Sequence, residues 1–174
     1  MQQEERTPLV WTESAGGPLA VIERQALDDW TGYGGDYERA CEVEVVDVIT
    51  FGESRRALIL WDEPAATAFL PEVRTFVQWL YADPGTDAAR AARDTTGVVW
   101  EAGPVFEVAG PLVLLDAAMP GTDVTINRPA RDASSAEAVN VELPPGRYRV
   151  EWADVEPDER SCFRLYRLVP LGEA

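Results

Sequence analysis

Strand-length apolar runs, each cut short by a glycine, a proline or a charge, constrain this chain most. Leu9-Val10-Trp11, Pro18-Leu19-Ala20-Val21-Ile22, residues 43–51 and residues 56–61 are rich in β-branched and apolar residues, the composition of strands. A turn is expected at Gly52-Glu53-Ser54. Residues 73–81 then place Val77, Trp79 and Tyr81 on one face and Phe76, Gln78 and Leu80 on the other, so both faces read as covered. Strands are also expected at 105–108, 112–116, 124–126, 139–143, 147–152 and 161–169. In 147–152, Tyr148, Val150 and Trp152 alternate with Arg147, Arg149 and Glu151, and Pro144-Pro145-Gly146 makes the turn before them.

Helix is scarce. Asp87 is placed to cap a helix over 88–93, and residues 23–30 predict a short helix stopped by the glycines at 32, 34 and 35. The expected fold is mainly β: a β-sandwich or barrel-like unit of two weakly similar halves, with one or two short helices. Residues 1–8 read as a flexible tail, 9–174 as a single β-rich domain, and 127–136 as a mobile loop. Gly16-Gly17-Pro18 reads as a tight hairpin turn between Trp11 and Leu19.

An internal repeat over 9–82 and 98–171 is weakly visible. Gly17-Pro18-Leu19-Ala20-Val21-Ile22 is similar to Gly110-Pro111-Leu112-Val113-Leu114-Leu115. Residues 46–49 and 56–64 likewise match 139–142 and 147–157, each copy ending its hairpin in Glu-Pro. The helical segment 83–94 would link the copies. Chance likeness between β-segments is the competing reading.

The chemistry such a fold can carry is narrow. The chain has no histidine and no lysine; its 15 basic residues are all arginine, against 31 acids, for a net charge of -16. The usual general base, the commonest metal ligand and the Schiff-base amine are therefore absent, and Ser/His/Asp or Cys/His catalysis with them. Cys41 and Cys162 form no CxxC pair and no zinc pattern, and read as reduced, buried thiols. Gly32-x-Gly34-Gly35 lacks the strand and helix of a nucleotide loop and reads as flexible. No metal or cofactor is expected. Scattered arginines and excess acid argue against nucleic acid and anionic membrane. The head of the chain lacks a signal-peptide pattern, which predicts a cytoplasmic protein.

Acidity alone fits solubility, but it also favours a basic partner. Residues 1–87 carry 17 acids against 6 arginines, and residues 88–174 carry 14 against 9. Within the more acidic half, 28–38 combines Asp28, Asp29, Asp36 and Glu38 with Trp30, Tyr33 and Tyr37 among glycines. Aromatic anchors ringed by acids are the composition of a protein-binding hot spot. Trp30 and Tyr37 fit a core role equally well. A second acidic cluster, Asp154, Glu156, Asp158 and Glu159, reads as a loop before the last strand, without the EF-hand pattern.

Trp11-Thr12-Glu13-Ser14-Ala15-Gly16-Gly17-Pro18, Trp30, Asp36-Tyr37-Glu38-Arg39-Ala40-Cys41, Gly110-Pro111-Leu112-Val113-Leu114-Leu115 and Leu143-Pro144-Pro145-Gly146-Arg147-Tyr148 occur in an order that resembles immunity protein 21 of bacterial polymorphic toxin systems. The resemblance runs over about residues 9–171. It implies a cytoplasmic protein that binds and neutralises a cognate toxin, expected to be basic and in many such systems a nuclease. It carries over no catalytic residue. Two other classes stand beside it: a small-molecule or carbohydrate-binding β-module using Trp30, Tyr33 or Tyr37, and a hydrolase using paired carboxylates.

Overall fold

The computed structural model describes residues 8–61, 65–130 and 134–172. Among the described residues, twelve strands form two sheets. They are β1 (Trp11–Thr12), β2 (Leu19–Glu23), β3 (Val46–Phe51), β4 (Arg55–Leu60), β5 (Thr67–Leu70), β6 (Thr75–Tyr81), β7 (Glu101–Val108), β8 (Leu112–Asp116), β9 (Ser135–Ala136), β10 (Ala138–Val141), β11 (Gly146–Asp158) and β12 (Ser161–Pro170). The seven-stranded sheet A runs β7-β11-β12-β6-β5-β1-β9, and the five-stranded sheet B runs β10-β8-β2-β4-β3. The expected mainly-β sandwich is what forms.

Three apolar layers explain the long hydrophobic runs. Leu19, Val21, Leu58, Leu60, Leu112 and Leu114 of sheet B meet Phe76, Phe106, Tyr148, Val150, Tyr166 and Leu168 of sheet A between the sheets. The opposite face of sheet B, with Ala20, Ile22, Ile59, Val113 and Leu115, is covered by Leu27, Trp30 and Ala40. The outer face of sheet A, with Leu70, Val77, Phe163 and Leu165, is covered by Ala88, Ala91 and Ala92. β2 and β8 are thus buried on both faces, so they read as continuous rather than alternating apolar sequence.

The covers are helical. A 3-10 helix (Arg24–Asp29), a 3-10 turn (Gly32–Gly34) and α1 (Asp36–Cys41) lie over sheet B. α2 (Ala88–Arg93) lies over sheet A, and the Asp87 carboxylate accepts from the Arg90 N–H at 3.1 Å, as its sequence position predicted. Among the described residues, no helix is long and apolar enough to cross a membrane.

Several expectations are corrected. Gly16-Gly17 does not close a hairpin, because β1 belongs to sheet A and β2 to sheet B. The turn carries the chain between sheets, held by Asp116, which accepts the Ala15 N–H at 3.0 Å. Residues 124–126 make only an isolated bridge at Ile126 and no strand. Residues 127–130 and 134–136 are tied down rather than loose: the Asn127 N–H donates to Ala138 O, and β9 pairs in parallel with β1. Cys41 is exposed, Cys162 is buried, and both are free thiols. Residues 1–7, and with them most of the expected tail, lie outside the described residues, as do Glu63 and Pro64, the end of the first copy's hairpin.

The strand order has a two-fold pattern. About the antiparallel pairs β2–β8 and β6–β12, strands β1, β2, β4, β5 and β6 exchange places with β7, β8, β10, β11 and β12. The sequence match of 56–64 with 147–157 does not follow this exchange. β4 lies in sheet B and β11 in sheet A; by position β4 corresponds to β10, and β5 to β11. Alternating apolar patterns report pleat and burial, not place in a sheet.

Candidate functional site

Residues 28–38 form a built surface over sheet B. Trp30 anchors it from below: its ring is 1% exposed, packs edge-on against Phe51 at 5.1 Å and donates from Nε1 to Ala117 O at 3.0 Å. Burial removes Trp30 from any contact surface, against its grouping with the exposed aromatics. The Gly121 N–H donates to Trp30 O and the Tyr33 N–H to Ala118 O, both at 2.9 Å, so loop 30–35 is bolted to loop 117–121. Gly32 sits at φ +56, and a Cβ there would lie 2.5 Å from the Met119–Pro120 backbone. Only glycine fits both the conformation and the close approach.

Thr31 and Asp36 close the loop reciprocally. Asp36 Oδ2 accepts the Thr31 N–H at 2.9 Å, and Thr31 Oγ1 accepts the Asp36 N–H at 3.0 Å. Asp36 also holds Arg39 at 2.5 Å and is 7% exposed. Its charge is spent inside the loop, which makes Asp36 a positioning residue rather than an exposed contact. The glycine-rich segment is therefore pinned, where its composition had suggested flexibility.

What this frame presents outward is Tyr33, 72% exposed. Asp28, Asp29 and Glu38 are exposed on the same cover. Asp29 faces Arg55 at 3.4 Å, whereas Asp28 and Glu38 have no arginine partner among the described residues. Tyr37 is half-buried with its hydroxyl end over Gly17, where a Cβ would fall within 2.2 Å of it. A hydrogen bond with Cys41, and then burial, raise the Tyr37 phenol above its ordinary pKa. Of the three rings in this segment, only Tyr33 offers an open face.

The second cluster is not a loop. Asp154, Glu156 and Asp158 lie within β11, and Glu159 sits in the turn of the β11–β12 hairpin, with a register shift between Val155 and Asp158. Pro157 and the acids read as strand-breaking, but a bulged hairpin end accommodates them. Asp158 accepts from the Arg160 N–H at 2.7 Å and Ser161 Oγ at 3.0 Å. Asp154 grips Arg164 through Nε at 2.6 Å and Nη2 at 2.9 Å. Glu156 and Glu159 remain exposed without an arginine partner among the described residues. With Asp87, Asp94 and the exposed Val99, the hairpin end lines a groove of about 790 Å³. Val155 packs with the α2 cover, so this groove borders the sheet A cover. The two acidic clusters lie on opposite sides of the sandwich.

Arg164 is the residue that composition hid. Its side chain is 9% exposed, with the guanidinium 4.0 Å from the Trp61 ring centroid and 4.8 Å from that of Trp152. Burial, the largest single influence, would lower its pKa, but the hydrogen bonds and charge of Asp154 together with Tyr166 outweigh it and hold the guanidinium above its ordinary value. Asp154→Ala is expected to destabilise the fold by about 2 kcal/mol in urea denaturation, less than a fully buried pair because Asp154 is 41% exposed. Arg164→Met, which removes the charge that needs a partner, should cost less than Asp154→Ala; the reverse order would mean that the pair itself supplies the stability. Among the described residues, no group of three or more acidic or thiol side chains is arranged to hold a metal.

The fold and this surface define a β-sandwich that displays a rigid aromatic loop on one covered face. The chain belongs to the family described as Immunity protein 21, whose model matches residues 10–161. That span takes in β1 to β11 and reaches the first residue of β12. No curated protein and no solved structure matches the chain.

Proposed function

We propose that this protein protects the cell that makes it by binding and neutralising a cognate toxin in the cytoplasm, and that the toxin docks on the cover over sheet B. The observation that carries this reading is Tyr33, held open on a loop clamped by Thr31 and Asp36 and flanked by Asp28 and Glu38, acids with no arginine partner among the described residues. A rigid aromatic gives contact area at small entropic cost, and free acids beside it steer a cationic surface into place. The toxin is accordingly basic, and a nuclease active site, built to attract phosphate, is the kind of surface such acids would mimic a ligand for. The hairpin end with Glu156 and Glu159 ranks second, because Asp154 and Asp158 already spend their carboxylates within the chain.

The test begins with tagged wild-type protein and an Asp28→Asn/Glu38→Gln variant, each used to capture partners from the native lysate at low and high salt. A protein with a toxin-like domain, retained by wild type and released by salt, is then purified for stopped-flow binding. The variant should associate about tenfold more slowly at low salt and show a flatter salt dependence, with its dissociation rate little changed. Equal association rates for the two proteins would move the interface away from this cover. Failure to neutralise the captured toxin in a co-expression assay would remove the immunity reading itself.

A further inference from the structure

Six residues form one rung across the inner face of sheet A. Asp154 on β11, Arg164 on β12, Gln78 on β6, Thr67 on β5, Thr12 on β1 and Ala136 on β9 are successive cross-strand partners. Four of them are polar and buried in the layer between the sheets: Thr12, Thr67 and Gln78 at 0% exposure and Arg164 at 7%. A polar row in such a layer is unfavourable unless each donor and acceptor finds a partner. Among the described residues, three buried side-chain polar atoms have none, and all three are in this rung: Thr12 Oγ1, Gln78 Nε2 and Arg164 Nη1.

The remaining atoms of the same groups are satisfied. Gln78 Oε1 accepts from the Tyr166 hydroxyl at 2.9 Å, and Arg164 spends Nε and Nη2 on Asp154. The unmet donors are therefore specific atoms on direct cross-strand partners, Arg164 on β12 and Gln78 on β6. A single acceptor oxygen between them would complete both. Charge and size select which oxygen. Asp154 already neutralises Arg164, so an anion gains little there. Nη1 is sealed from solvent, with Trp61 and Trp152 against the guanidinium. A small, neutral acceptor is what fits.

We propose that this rung is an internal hydration site. One buried water accepts from Arg164 Nη1 and Gln78 Nε2, and a second bonds Thr12 Oγ1. Buried waters of this kind complete the bonding of polar groups that the chain leaves unmet. Asp154, 41% exposed, forms the solvent end of the row and gives the waters a route for exchange.

The deciding experiment is a crystal structure of the full chain at about 1.2 Å, where amide oxygen and nitrogen are told apart. The proposal expects a water within hydrogen-bond distance of both Nη1 and Nε2, and another on Thr12 Oγ1. A dry rung, with the Gln78 amide turned so that its oxygen accepts from Nη1 directly, would overturn it. Thr12→Val supplies a sign test in solution. If a water bonds the hydroxyl, removing it lowers Tm by about 3 °C; if the hydroxyl is dry and unpaired, Tm rises. Thr12→Ser keeps the hydroxyl and should keep the water in its crystal structure.

Discussion

Trp30→Ala is expected to lower stability by about 4 kcal/mol, read as a fall in the urea midpoint with little change in slope. Three losses add up. The indole fills the layer between sheet B and its cover, so its removal leaves a cavity under Leu27, Ala40 and Phe51. The edge-on contact with Phe51 disappears. Ala117 O loses the Nε1 donor. Trp30→Phe separates these contributions, since it keeps most of the volume and drops the indole hydrogen bond; about 2 kcal/mol is expected for it. An unchanged midpoint for Trp30→Ala would mean that the ring does not hold the cover down. The consequence for the surface is indirect. Loop 30–35 is seated through Trp30 O and Tyr33 N, so loosening Trp30 loosens the frame that presents Tyr33.

That distinction between neighbouring aromatics was only partly legible in the sequence. Trp30 and Tyr37 fitted a core role there as well as a surface one, and Tyr33 among its glycines did so less, but shared acids and glycines did not decide which rings are buried. Burial separates them, and burial depends on where loop 117–121 and Gly17 arrive in space. The strands were readable where local pattern and tertiary role agree. β8 is found at its expected residues, β12 within one residue of its expected end, and α2 with its cap. β5 was missed because four residues, Thr67–Leu70, are too few to show a period. α1 was missed for the same reason, its six residues lying among acids and glycines that read as loop.

The acids taught a related lesson. Asp36 and Asp154 look like free surface charge in sequence, yet each is bound to partners that only folding brings near: Thr31 and Arg39 for the first, Arg164 for the second. Arg164 and Gln78 occupy alternating strand positions that ordinarily face solvent when filled by polar residues. Here both strands are covered on each face, so the polar position turns inward with the apolar ones. Counting charges therefore overstated what the surface offers. Of the acids in the two expected clusters, those without an arginine partner among the described residues are Asp28 and Glu38 on one face, and Glu156 and Glu159 at the hairpin end on the other.

Against that smaller set, Tyr33→Ala is expected to weaken binding of the cognate toxin by about 30-fold, in calorimetry with purified partner, while leaving Tm unchanged. The argument is the contrast with Trp30. Tyr33 projects from a frame whose hydrogen bonds are made by the backbone and by Thr31 and Asp36, none of which involves the phenol. Truncating it leaves the frame in place and removes only what a partner would touch. The loss should appear in the dissociation rate, because an anchor holds a complex together, whereas Asp28 and Glu38 act on its approach. Tyr33→Phe tells ring from hydroxyl: near-normal affinity would assign the contact to the aromatic face, and a loss as large as alanine's to a hydrogen bond from Oη. Wild-type affinity for Tyr33→Ala would place the interface on the other side of the sandwich, and Glu156→Gln with Glu159→Gln would then be the variants that lose the toxin.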